Sequence, residues 1–159
     1  MAEFTTNLDV VNHEILITRT FDAPRDLVWK AWTDPKHLIH WWGPNGFTAT
    51  IHEMDVRTGG VCRFILHGPD GRDYHNKIVY VDVVKPEKIA YRHAGEKEHE
   101  AVGFQVTVLF VAEGDTTTLT MRMTFASAEE LKRVNDQYGA IEGAKQNIDR
   151  LAAYLTKIQ

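Results

Sequence analysis

Arg19, Glu53, Tyr91 and His93 are the side chains of this sequence that could move protons or hold a charged group in place. Each falls on the apolar side of a segment that alternates with period two. Arg19 shares a face with Ile17 and Phe21, Glu53 with Phe47, Ala49 and Ile51, and His93 with Ile89 and Tyr91. A carboxylate, a phenol and an imidazole converging on one cavity are the groups that general acid/base catalysis uses. Tyr91 and His93 stand about 7 Å apart along one strand, from a rise of roughly 3.4 Å per residue, which is compatible with a shared substrate. A buried charge is costly unless it is paired. Arg19 and Glu53 therefore either pair near a cavity mouth, or strand bends and bulges carry both to water.

Other chemistries find less support. His37 and His40, three residues apart, could present two imidazoles to one ion, but no HExxH, CxxC or carboxylate cluster accompanies them, so no metal site is assigned. Cys62 lies mid-strand on the apolar side and reads as a small core residue rather than a nucleophile. GxSxG, GxGxxG and Walker patterns do not occur, and neither a catalytic residue nor a cofactor is assigned. Lys and Arg number 18 against 22 Asp and Glu, a net charge of −4 without a basic run. Nucleic acid and anionic membrane surfaces thus have no electrostatic footprint here. No apolar run is long enough for membrane insertion. The amino-terminal stretch has neither a basic segment nor an apolar signal core, and Cys62 is the lone cysteine; both predict a cytoplasmic protein.

These residues need elements to position them. The chain has 159 residues, 43% apolar and 25% charged, which predicts a loose segment over 1–13 and a single domain over 14–159. Alternation predicts a strand over 14–21. Asp22-Ala-Pro24 and Asp34-Pro35 then announce two short helices, the second running to about Trp42. Six further strands are predicted over 47–55, 60–67, 72–83, 88–94, 101–111 and 116–125. Short Gly- and Pro-containing turns between them make an antiparallel meander. Ser127-Ala-Glu-Glu130 is a capping box, and the apolar stripe from Leu131 to Ile158 predicts one long helix. Gly139 and Gly143 within that helix either admit the sheet closely or leave room for a ligand.

The expected fold class is α+β: a curved antiparallel sheet of about seven strands around a long C-terminal helix, with two short helices after the first strand. Inward parity on the strands selects Phe64, Leu66, Tyr91, His93, Phe104, Met121 and Met123 as cavity-lining candidates, beside Arg19 and Glu53. Large apolar surfaces, flexible methionines and a few polar tips suit a small-molecule pocket, although any one of these positions could be plain core. All four tryptophans, Trp29, Trp32, Trp41 and Trp42, fall on the two short helices and the turn after them. Trp29 or Trp32 should anchor the helices, and Trp41 or Trp42, beside Gly43-Pro44, should line the entrance.

The motifs Phe21-Asp-Ala-Pro24, Val28-Trp-Lys-Ala-Trp-Thr-Asp-Pro35, Trp41-Trp-Gly-Pro44, Gly59-Gly60, Gly68-Pro-Asp-Gly71, Val83-Val-Lys-Pro-Glu-Lys-Ile89 and Ile141-Glu-Gly-Ala-Lys-Gln-Asn-Ile-Asp-Arg-Leu151 follow one another over about residues 14–157. In order and spacing they resemble the SRPBCC superfamily of START-like, helix-grip proteins, in the branch named for the activator of heat-shock protein 90 ATPase. The resemblance implies a START/Bet v 1-like helix-grip fold with a hydrophobic cavity between sheet and long helix. Relatives include lipid and hormone carriers, aromatase/cyclase domains and the chaperone activator, and the matching motifs are architectural, so no catalytic residue is carried over. The leading expectation is a monomeric or homodimeric binder of a small hydrophobic or amphipathic molecule. The alternatives are a cyclase- or hydratase-type enzyme and an interaction module with a chaperone as partner.

Overall fold

The computed structural model of the chain describes residues 5–95 and 103–159. In chain order the elements are β1 (Asn7–Val11), β2 (Glu14–Phe21), α1 (Arg25–Thr33), α2 (Pro35–Leu38), β3 (Thr48–Met54), β4 (Val61–His67), β5 (Asp73–Val84), β6 (Lys88–Gly95), β7 (Phe104–Glu113), β8 (Thr116–Phe125), α3 (Ala128–Tyr138) and α4 (Ala140–Lys157). The strands form one antiparallel sheet in the order β1-β2-β8-β7-β6-β5-β4-β3, curved around the C-terminal helices. This is the expected α+β architecture with one strand more. The meander from β3 to β8 follows from its short turns, and β2 completes it by pairing with β8, Ile17 opposite Met121. Of the strand predicted over 101–111, residues 101 and 102 lie outside the described residues. Among the described residues no helix is long and apolar enough to cross a membrane.

The added strand lies in the segment read as a loose start. Asn7–Val11 pairs with β2 from Asn7 opposite Thr18 to Val11 opposite Glu14. The hairpin turns through Asn12 at a φ of 56°, in the left-handed region that asparagine tolerates. Most β1 side chains are exposed, so the strand is held by its backbone ladder and leaves no alternating apolar pattern.

The predicted long helix is two. Gly139, at φ 68° and ψ 41°, ends α3 in the left-handed conformation, and its N–H donates to the Asn135 carbonyl at 2.8 Å. The Asn135 side-chain oxygen then accepts from Ile141 N–H at 3.0 Å and caps the new helix. A Cβ at Gly139 would meet nothing within 4 Å, so glycine is there for its φ and not for close packing. The serine half of the capping box forms, with Ser127 Oγ accepting from Glu130 N–H at 3.0 Å. The Glu130 carboxylate turns to Arg133.

Helix α2 stops at Leu38, short of Trp42, and the chain continues in tight turns as Trp41 and Trp42 N–H both reach back to the Leu38 carbonyl. Edge-on contacts knit the tryptophans together: Trp32 lies 4.9 Å from Trp41 and 5.7 Å from Trp42, and Trp29 lies 5.3 Å from Phe110 of β7. These rings fasten α1 and the following turn to one end of the sheet. The main core, with Ile15, Ile17, Val108, Phe110, Leu119, Ile148 and Leu151 fully buried, lies between the sheet and helices α1 and α4.

Candidate functional site

Sheet and C-terminal helices do not close completely on one another. They leave a pocket of about 1080 Å³. Phe64, Leu66, Tyr91, His93, Phe104, Met121 and Met123 line it from the sheet. Val134, Ala140, Gly143, Ala144 and Asn147 face it from α3 and α4, and Trp42, Gly43, Pro44 and Phe47 border it at the turn. Strand parity thus brings its seven aromatic, aliphatic and imidazole candidates together. Asn76, at inward parity with Ile78 and Tyr80 on β5, belongs with them and was missed.

Trp41, Arg19 and Glu53 are not among the lining residues, each for a separate reason. Trp41 is fully buried under α1, where its indole Nε1 donates to the Ala31 carbonyl at 3.0 Å. Arg19 does face inward, but α4 packs against β2. Its guanidinium meets Thr6 Oγ1 at 3.1 Å and Asp149 at 3.4 Å. Glu53 follows a register shift between Ile51 and Glu53 that places it opposite Arg63, with the two charges 3.8 Å apart at the surface. The Arg19–Glu53 pair does not form.

Several polar groups of the pocket are held by their neighbours. His93 stacks on Phe104 with centroids 4.7 Å apart and planes 8° from parallel. Its Nε2 lies 2.9 Å from Asn76 Oδ1. Because Asn76 Nδ2 donates to the Tyr74 carbonyl at 2.9 Å, Oδ1 is the acceptor and His93 Nε2 carries the proton. Burial pushes the Tyr91 phenol far above its ordinary range, so it remains neutral at any working pH. Among the described residues the lining carboxylates are engaged: Asp73 with His67 Nδ1 at 2.7 Å, and Glu130 with Arg133, whose hydrogen bond holds that carboxyl below the usual range.

One wall is strapped down by α4. Asn147 Oδ1 accepts from Gly43 N–H at 3.0 Å, Gln146 Oε1 accepts from Asn45 N–H at 3.1 Å, and Arg150 Nη1 donates to the Gly43 and Pro44 carbonyls at 2.7 and 2.9 Å. A Cβ at Gly143 would sit in ordinary contact 3.4 Å from Pro44 Cγ, so its neighbour is this turn and not the sheet, and Gly143 also lines the pocket. Arg150→Met keeps the aliphatic stem and loses both hydrogen bonds. We expect it to lower stability by about 1–2 kcal/mol, seen in calorimetry as a drop in Tm of roughly 2–8 °C. An unchanged Tm would show that the turn holds without the arginine.

One polar cluster lies away from the pocket and a second reaches its rim through Asp73. His37 and His40 both engage Tyr154, the first by a 2.6 Å hydrogen bond and the second by stacking at 5.4 Å. Among the described residues no group of three or more His, Cys, Asp or Glu could hold a metal ion. Thr50 Oγ1, His67 and Asp73 form a hydroxyl–imidazole–carboxylate chain with two 2.7 Å links, the order found in activated nucleophiles. With His67 36% and Asp73 52% exposed, it is open to solvent, and Thr50 does not line the pocket. Three strands assemble this chain, so no local sequence motif announces it.

The family described as "Activator of Hsp90 ATPase homolog 1-like protein" matches residues 22–156. A protein from Arthrobacter aurescens, solved in solution by NMR, superposes with a TM-score of 0.87 at 26% identity, covering 95% of this chain and 91% of that one. A crystal structure of a Mycobacterium smegmatis protein gives 0.81 at 30% identity over 95% and 96% of the two chains. No curated protein matches the chain.

Proposed function

The chain belongs to the Activator of Hsp90 ATPase homolog 1-like family, and from that premise we propose that it binds a small hydrophobic or amphipathic molecule between its curved sheet and C-terminal helices. The pocket itself carries this reading. At about 1080 Å³ it is slightly larger than the roughly 300–1,000 Å³ typical of small-molecule sites, and most of its lining surface is apolar. The lining carboxylates are already bonded to neighbouring side chains, which favours an uncharged ligand body over an ionic one. The His93–Asn76 pair supplies a local polar contact for orientation.

A second reading, an enzyme of the cyclase or hydratase type, draws on Tyr91 and His93 lining the same space. A phenol held so firmly in its neutral form is a poor proton donor near neutral pH, so in that reading Tyr91 acts as a hydrogen-bond donor to the substrate.

N-Phenyl-1-naphthylamine, a neutral fluorescent probe, tests the binding reading. We expect saturable one-to-one binding with a dissociation constant on the order of micromolar and a change in tryptophan emission. Trp42 lines the pocket and Trp41 does not. The emission change should therefore persist in Trp41→Phe and shrink in Trp42→Phe. Absence of saturable binding overturns the reading.

A further inference from the structure

Behind Trp42 lies a second, small void. It has room for about one water-sized sphere, about 10 Å³, and Trp32, Trp42, Cys62, Phe64, Tyr80 and Tyr91 are among its walls. Trp42, Phe64 and Tyr91 also line the large pocket, so the two spaces adjoin.

Trp32 is only 4% exposed, and its indole Nε1 is buried without a hydrogen-bond partner. An indole N–H can only donate, and buried donors in folded proteins are almost always satisfied. Its neighbour Trp41 obeys that rule through the Ala31 carbonyl. The same void is bordered by Tyr80, Cys62 and Tyr91. Burial keeps all three of these groups in their neutral forms. Among the described residues no cationic side chain lines the void, so an anionic oxygen there would be desolvated without a counter-charge.

We propose that this void is an inner subsite of the pocket that receives one uncharged acceptor oxygen, the carbonyl of an apolar ligand, with Trp32 Nε1 as its donor. The inference rests on the ligand-binding reading above and narrows its ligand class to neutral molecules bearing a ketone, ester or amide oxygen at the end of an apolar ring or chain. Size supports a single oxygen, charge supports a neutral one, and the unmatched donor supports an acceptor.

2-Acetylnaphthalene and 2-ethylnaphthalene test it, since they share a ring and nearly a shape and differ in the carbonyl. We expect the ratio of their dissociation constants to favour the ketone by about tenfold more in the native protein than in Trp32→Phe, the effect of one hydrogen bond to a buried donor. Should Trp32→Phe fail to fold, the native protein decides alone. The Trp32 indole N–H resonance in a ¹H–¹⁵N spectrum should move downfield on saturation with the ketone and hold its position with the hydrocarbon.

Equal ratios in the two proteins, or an indole resonance that the ketone leaves in place, overturn the subsite, and the latter is the result expected if the void holds only a water. Those outcomes leave general binding intact where both naphthalenes still bind. If neither binds, the ligand-binding reading and the subsite fall together.

Discussion

Ala144→Phe weakens binding of N-phenyl-1-naphthylamine by at least about 100-fold, a loss of roughly 2.7 kcal/mol, and leaves Tm within a few degrees of the native value. Ala144 lies on α4 with its methyl at the pocket lining, so a phenyl ring there occupies the space a ligand would take. Helix propensity costs only about 0.5 kcal/mol for this exchange. The ring enters existing free volume, so it does not meet the strain that overpacking a filled core would bring. Lys145→Phe supplies the control: it makes a similar propensity change one residue along the same helix, at a position that does not line the pocket. It should bind the probe as the native protein does. Retention of full affinity by Ala144→Phe would place the ligand elsewhere on the molecule.

The contrast between those neighbouring positions also shows where sequence reasoning reaches and where it stops. Period-two alternation exposed β2 to β8 because one face of each faces the core, and the inward set Phe64, Tyr91, His93, Phe104, Met121 and Met123 follows from that one fact. It could not expose β1, whose side chains are mostly in water and whose pairing is a matter of backbone alone. Nor does an apolar stripe register a break at Gly139, because a single left-handed residue redirects the axis while apolar residues still recur at helical spacing. Parity carried Glu53 inward only until the β3 register shift reversed it. Trp41 and Trp42 sit in a turn, where no periodicity chooses between them, and their opposite fates are decided by packing against α1 and Phe64. The unmatched Trp32 donor is a property of three-dimensional packing and has no signature along the chain.

Above pH 9 the protein should lose stability steeply, and Cys62 should account for one proton of the slope. Burial pushes the Cys62 thiol up from an ordinary value of 9.0 to about 11. Between those values the unfolded chain releases the thiol proton and the folded chain retains it, so stability falls as pH rises, by about 1.4 kcal/mol per pH unit. The loss reaches roughly 2–3 kcal/mol by pH 11. Below pH 9 both states hold the proton and this contribution is fully present. Tyr80 and Tyr91 are also raised by burial and add to the same trend above about pH 10, where unfolded tyrosines ionise. Urea unfolding at a series of pH values from 8 to 11 measures the slope. Cys62→Ala should flatten it by one proton between pH 9 and 11, whatever the cavity it leaves does to absolute stability. Identical slopes in the two proteins would mean that the thiol titrates alike folded and unfolded. The physiological consequence lies on the flat side of this curve: at neutral pH Cys62, Tyr80 and Tyr91 all remain protonated, so the walls around Trp32 present hydrogen-bonding groups without charge.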